Sequence, residues 1–291
     1  MSIRSVGLCV KANHPEAGGT VRGLAKWLAA RGLDAVLDED AAELAGASGR
    51  TREAVASAVD LLVVLGGDGT LLSVARAAGT RPVPILGVNL GTLGFLTEVT
   101  HDELYAALER VLAGDAPVES RMRLEVRAER GGGDDRAGRE LGRWIALNDA
   151  VITAEALARM LELEAFVAGR KVTTYHSDGL IAATPTGSTA YSLAAGGPIL
   201  DPAMDAIILN PISPHTLTQR PLVFPGDRQI EVRAHPGGSP LHLTVDGQAG
   251  MRLEDGDVVR ISRSAHPALL VTSPFRSRFD ILRTKLHWGE R

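Results

Sequence analysis

Between residues 5 and 113, short apolar runs alternate with helical patterns, and no other feature restricts the fold of this chain as strongly. Residues 5–10, 35–37, 61–65 and 83–88 read as buried strands. Between them, residues 19–31 carry Val21, Leu24, Ala25 and Leu28 at helical spacing, and Gly32 closes that helix. Residues 52–59 and 70–78 give further helices, and Thr100 with Glu103 forms a capping box for a helix running to residue 113. Alternation of this kind implies a parallel sheet with helices on its faces.

From residue 118 the rhythm changes. Residues 123–129 alternate like a half-buried strand. Short strands follow over 144–153, 161–167, 180–183, 206–209, 229–234, 241–245, 258–262 and 268–271. Turn signals such as Pro225-Gly226-Asp227 and Asp255-Gly256-Asp257 separate them, and the polar, glycine-rich stretch 131–138 reads as a hairpin loop. The expectation is an α/β N-terminal domain with a parallel sheet over residues 1–117 and an all-β, sandwich-like C-terminal domain over 118–273. A helical tail, 274–291, returns to the first domain. A length of 291 residues suits this division.

Composition excludes several classes of function. Thirty-one Lys and Arg stand against 35 Asp and Glu, and aromatics make up only 4%, which argues against a nucleic-acid partner. Cys9 is the single cysteine, so the chain has no internal disulfide and no all-cysteine metal site. The N-terminus lacks a signal-peptide pattern and no stretch is apolar enough to span a membrane. A cytoplasmic protein without a membrane partner is expected. The eight histidines form no tight metal-ligand spacing, and no metal-ligating residue is assigned.

The 32 glycines fall in clusters at strand-to-loop junctions. Gly66, Gly67, Asp68, Gly69 and Thr70 follow the third strand and open a helix. Glycines let a ligand approach the backbone, and free N–H groups at a helix start bind phosphate. Asp68 is placed to accept a proton from a substrate hydroxyl. The pattern is neither a Walker A loop nor the dinucleotide fingerprint. A second cluster, residues 87–96, follows the fourth strand and offers Asn89. A third, residues 177–198, is rich in hydroxyls and small residues, suited to a base, a ribose or a phosphate. Asn148-Asp149 interrupts a strand, as a bulge or turn or as an amide and carboxylate for two ribose hydroxyls. Asp246-Gly247-Gln248 reads as a hairpin turn whose Gln248 can still face a ligand.

Taken in order along the chain, these segments resemble NAD kinases of the bacterial type. The resemblance rests on GGDGT at 66–70, LGTLGFL at 90–96, the Asn148-Asp149 pair and the long segment beginning at Asp178. It continues through NPISPH at 210–215, the turn at 246–248, and Leu282, Arg283, Lys285, Leu286 and Trp288. It implies transfer of the terminal phosphoryl group of ATP, or of polyphosphate, to the 2′-hydroxyl of the adenosine ribose of NAD. Asp68 becomes the proton acceptor, with Gly69 against the same ligand. Asn148 and Asp149 hold ribose hydroxyls; the family often has Glu where Asp149 stands. Asp178 with Thr189, Ala190, Tyr191, Ser192, Leu193 and Ala194 lines the adenine or nicotinamide sites. Arg159, His176 and Gln248 supply further dinucleotide contacts. Mg²⁺ or another divalent cation comes with ATP, and the chain forms a homodimer or homotetramer. Two other readings compete. A lipid or sugar kinase shares GGDGT but not the hydroxyl-rich segment, and a non-catalytic NAD(P) sensor needs no Asp68.

Overall fold

The structure is a computed structural model that describes residues 3–11, 14, 16–131, 138–154, 161–216, 218–235 and 241–289. Most of the loop expected over 131–138 lies outside the described residues. The chain divides into two compact units, Met1–Ser120 with Ala268–Arg291, and Arg121–Pro267.

The first unit is built on a seven-stranded sheet. Its order is Asp34–Leu37, Ser5–Val10, Leu61–Gly66, Pro84–Asn89, Ala268–Val271 and Val118–Arg121, with the short Val99–Thr100 also beside Pro84–Asn89. The pairings of the first five strands are parallel. Leu61 to Leu65 are all fully buried, and alternate residues serve opposite faces. Leu61, Val63 and Leu65 pack with Val21, Leu24 and Leu28 of the Ala17–Ala29 helix and with Leu104 and Leu108 of Leu104–Ala113. The other face takes Arg52–Ala58 and Asp68–Ala77. A Cβ at Gly7 would lie 2.6 Å from Val55 Cγ1, so glycine lets that helix approach the sheet.

Helices on both faces of a parallel sheet were legible in the apolar periodicity. The Glu39–Ala45 helix was not read, although Asp38 caps it through Ala41 N at 2.8 Å and Gly46 ends it at φ 68°. The sequence grouped residues 268–271 with the antiparallel strands. They pair parallel with Pro84–Asn89 instead, because so short an apolar run carries no information about strand direction. The capping box of Thr100 and Glu103 is present.

The second unit is a sandwich of two antiparallel six-stranded sheets. One runs Arg170–Ser177, Leu161–Val167, Ile230–His235, Asp257–Arg263, Leu124–Arg130, Arg139–Ala146. The other runs Leu222–Pro225, Ala206–Ile212, Gly179–Ala183, Asp149–Ala154, Leu241–Val245, Ala249–Leu253. Leu124, Leu163 and Val259 from the first meet Ile152, Leu209 and Leu243 from the second in one core. Tyr175 is buried there, and burial pushes its phenol up to about 12. The interruption at Asn148-Asp149 proves to be the point where the chain crosses from one sheet to the other.

Arg52 secures the end of the first strand. It donates to Asp38 at 3.0 Å, Asp40 at 2.9 Å, Val10 O at 2.9 Å and Ser73 Oγ at 2.8 Å. Burial, the largest influence, raises Asp38 above the ordinary carboxylate range. Arg52→Met strands that buried charge, and urea unfolding at pH 7 should show a loss of about 3 kcal/mol. Below about pH 4, Asp38 is neutral in folded and unfolded chains alike and most of the loss should vanish.

Candidate active site

Each unit carries a cavity lined by residues from the glycine clusters. In the first unit it measures about 400 Å³ and is lined by Gly66, Gly67, Asp68, Asn89, Gly91 and Gly94, among others. Leu61–Gly66 ends at its wall and the Asp68–Ala77 helix begins there. Gly67 is the residue before that helix and puts no side chain over its amides. A Cβ at Gly67 would meet nothing within 4 Å, and its φ of −109° suits any residue. The protein itself therefore does not require glycine here, whereas a phosphate resting on the backbone would.

Asp68 is held by the irregular stretch after Asn89. Its Oδ1 accepts from Leu96 N at 3.1 Å, Thr97 N at 2.9 Å and Thr97 Oγ1 at 2.9 Å. Among the described residues its Oδ2 accepts only from Phe95 N, at 2.9 Å. A carboxylate offers about four acceptor positions, so Oδ1 is filled and the remaining capacity lies on Oδ2. Gly94 makes the approach possible, since a Cβ there would collide with Asp68 Oδ1 and Thr97 Oγ1. Asn89, expected to meet ligand, lines the cavity but uses its amide to shape the same stretch. Nδ2 donates to Thr97 Oγ1 at 2.8 Å, and Oδ1 accepts from Gly91 N at 2.7 Å. Gly69 and Thr70 belong to the first turn of the helix, where Thr70 Oγ1 packs against Gly66.

The second unit's cavity measures about 390 Å³ and is lined by Asn148, Asp149, Thr153, Ala190, Tyr191 and Asp246, among others. Here too a carboxylate gathers successive amides. Asp246 accepts from Leu147 N at 2.9 Å, Asn148 N at 2.7 Å and Asp149 N at 3.1 Å. It stands in the hairpin turn at φ 50°, followed by Gly247 at φ 66°, the left-handed pair that a tight hairpin demands. Thr184 closes the other side, accepting from Gly187 N at 2.9 Å and donating to Leu147 O at 2.6 Å. Gly187 is needed because a Cβ would strike the Asn148 backbone. Asn148 Oδ1 and Thr186 Oγ1 are buried with no partner among the described residues.

Asp149 is 4% exposed. Burial, and after it the Asp246 charge, push its carboxyl up to about 7. Asn148, Asp149, Ala190 and Tyr191 thus share one cavity. Ser192 is fully buried and receives Asn210 Nδ2 at 3.3 Å, so it serves the local fold. Thr189 donates to Thr186 O at 3.3 Å, while Leu193 and Ala194 continue the Tyr191–Ala194 turn of helix. Gln248 sits exposed beside Gly247. Asp178 and His176 lie at the opposite end of the Gly179–Ala183 strand from Thr184, and Asp178 faces His215 at 3.6 Å. Arg159 lies outside the described residues.

Sequence reasoning missed Asp246 as the organiser of the second cavity, and Lys11, His14 and Lys285 on the wall of the first. The scarcity of lysine, four residues in the whole chain, was the available signal for the last group.

The ATP-NAD kinase N-terminal domain family matches residues 6–116, and the ATP-NAD kinase C-terminal domain family matches residues 147–273. A NAD kinase of Geotalea daltonii is 47% identical over 290 residues, covering 99% of this chain and 100% of that protein. A NAD kinase of Geobacter sulfurreducens gives the same identity and coverage. The chain belongs to the NAD kinase family. Among solved structures, yeast NADH kinase complexed with NADH matches with a TM-score of 0.91 at 26% identity, covering 100% of this chain and 89% of that one. A NAD kinase from Archaeoglobus fulgidus in complex with ATP gives 0.78 at 26%, covering 97% and 98%. The resemblance read from the motifs and the expected fold class are both borne out. Among the described residues no helix is long and apolar enough to cross a membrane.

Two outcomes follow from this geometry. A raised carboxyl pKa keeps the proton on in the folded state, so Asp149 costs stability as pH rises from about 4 to about 7. Asp149→Asn should melt above the parent protein at pH 8, with the difference closing by pH 4 in thermal scans. Gly94→Ala should displace the Asp68 carboxylate and reduce turnover at least 100-fold, while circular dichroism stays that of the parent.

Proposed function

We propose that the chain transfers the terminal phosphoryl group of ATP to the 2′-hydroxyl of the adenosine ribose of NAD, giving NADP, with Asp68 Oδ2 as the proton acceptor. The observation that carries the reading is the division of labour within one carboxylate: Oδ1 is saturated by three donors, and Oδ2 keeps capacity on the cavity that the glycines and the helix start also line.

Phosphoryl transfer relies on positioning and charge neutralisation, with little covalent help. The donor's phosphates would lie over Gly66 and Gly67, where backbone N–H groups substitute for water. The attacking hydroxyl would donate to Asp68 Oδ2 and pass its proton there as the bond to phosphorus forms and the diphosphate leaves. General-base help of this kind is worth about 10²–10⁴-fold. Asn148 and Asp149 would receive ribose hydroxyls of the dinucleotide. The unpartnered Asn148 Oδ1 supports this, and hydroxyl donors would draw Asp149 to its charged form. Ala190 and Tyr191 would lie along a ring, with Gln248, Asp178 and His176 as outer contacts.

Mg²⁺ or another divalent cation would travel with the nucleotide and neutralise phosphate charge. We assign it no protein ligand. Among the described residues no three His, Cys, Asp or Glu side chains gather as a metal site, and Asp68 is the sole carboxylate lining the donor cavity.

Asp68→Asn tests the assignment. The carboxamide oxygen can take the place of Oδ1 and keep three bonds, while its NH₂ group has no lone pair for Phe95 N or for substrate. The variant should still bind NAD, within about tenfold of the parent's affinity in calorimetry, and form NADP at least 100 times more slowly. Near-parental kcat would exclude Asp68 as the base.

A further inference from the structure

We propose that Lys285 and Lys11 are the side chains that hold the donor's phosphate groups, so that the C-terminal helix forms part of the donor site. The proposal rests on the reading of the first cavity as the place where the donor's phosphates bind.

Lysine is rare in this chain. Four lysines stand among 31 basic residues, and two of the four line this one cavity. Lys171 pairs with Glu164. Among the described residues neither Lys11 nor Lys285 has a carboxylate partner, whereas arginines such as Arg31, Arg52, Arg130, Arg260 and Arg276 sit in ion pairs. Two unneutralised ammonium groups beside a bare helix start and a single carboxylate leave the cavity with a net positive charge. A lysine is a compact point charge with rotatable donors, suited to phosphate oxygens whose positions change during transfer. His14 also lines the cavity, and its Nδ1 is buried without a partner among the described residues.

Lys285 is held in place by a chain of contacts from the tail to the stretch that grips Asp68. Ser273 N donates to Glu98 Oε2 at 2.9 Å, and Arg276 donates to Glu98 O at 2.6 Å and to both Glu103 oxygens at 2.5 and 2.8 Å. The Arg278–Leu286 helix then starts on a capping box and buries Ile281 and Leu282. This brings the Lys285 ammonium to 5.7 Å from the centre of the Phe95 ring, and Phe95 N is the donor to Asp68 Oδ2. Lys11 leaves the end of the Ser5–Val10 strand on the other side, its backbone N–H fixed to Leu65 O at 2.9 Å. One lysine therefore comes from the start of the chain and one from its end, and both meet the glycine turn.

Inorganic tripolyphosphate, titrated calorimetrically into the full chain, is the probe, because it carries the donor's charge without its base. Lys285→Gln and Lys11→Gln should each weaken tripolyphosphate about tenfold and raise the KM for ATP by a similar factor. The dissociation constant for NAD and the melting temperature should stay those of the parent protein. Lys285→Arg should recover most of the affinity. Unchanged tripolyphosphate affinity in the glutamine variants would overturn the proposal, as would equal losses for NAD and tripolyphosphate. A parent protein that makes NADP alongside such a result contradicts only the lysine assignment, whereas a parent protein that makes no NADP contradicts the proposed function.

Discussion

One kind of interaction organises both cavities: a single carboxylate that collects three consecutive backbone N–H groups from a distant loop. Asp68 does this for Phe95, Leu96 and Thr97, and Asp246 does it for Leu147, Asn148 and Asp149. Neither loop has a ladder partner for those amides, and a buried N–H without an acceptor costs as much as a lost hydrogen bond. Charged acceptors make the strongest replacement. The two stretches are therefore held in place largely outside helix and strand, beside the cavities that Asp68, Asn148 and Asp149 line.

The two carboxylates do different work because they are used to different extents. Asp246 accepts from three amides, and in the proposed function its neighbours Asn148 and Asp149 meet the ligand. Its charge also helps keep Asp149 protonated to about pH 7, which links the architecture of that cavity to its titration. Asp68 fills one oxygen and keeps capacity on the other beside Phe95 N, so the same residue anchors the loop and, in the proposed function, accepts the substrate's proton. The glycines at 94 and 187 are the steric condition for this arrangement, since each stands where a Cβ would strike the loop being held.

Much of this was legible in the sequence, and the rest was hidden for physical reasons. The parallel sheet followed from apolar runs such as 61–65, and the turn into the Asp68–Ala77 helix from glycines set between a strand and a helix. The sandwich followed from alternating short strands, and Asn148-Asp149 stood out because neither residue favours β structure. The clasps did not show. Asp68 meets its loop 27 to 29 residues away and Asp246 meets its own 97 to 99 residues away, and no local pattern reports side-chain bonds to remote backbone. For the same reason Asp246 read only as a turn residue, and the bonds by which the Asn89 amide holds its own loop did not show. Lys285 was visible only as part of a motif, because the tail's path back to residues 95–103 is a tertiary fact.

The dependence of both loops on their carboxylates is most directly measured by amide hydrogen exchange at residues 95–97 and 147–149. In the parent protein these six amides should exchange slowly, although all but that of Asp149 lie outside regular structure. In Asp68→Ala the first three should lose protection while the second three keep it, and Asp246→Ala should show the reverse. Protection that survives both substitutions would contradict the account, because the loops would then be ordered by something other than the two carboxylates.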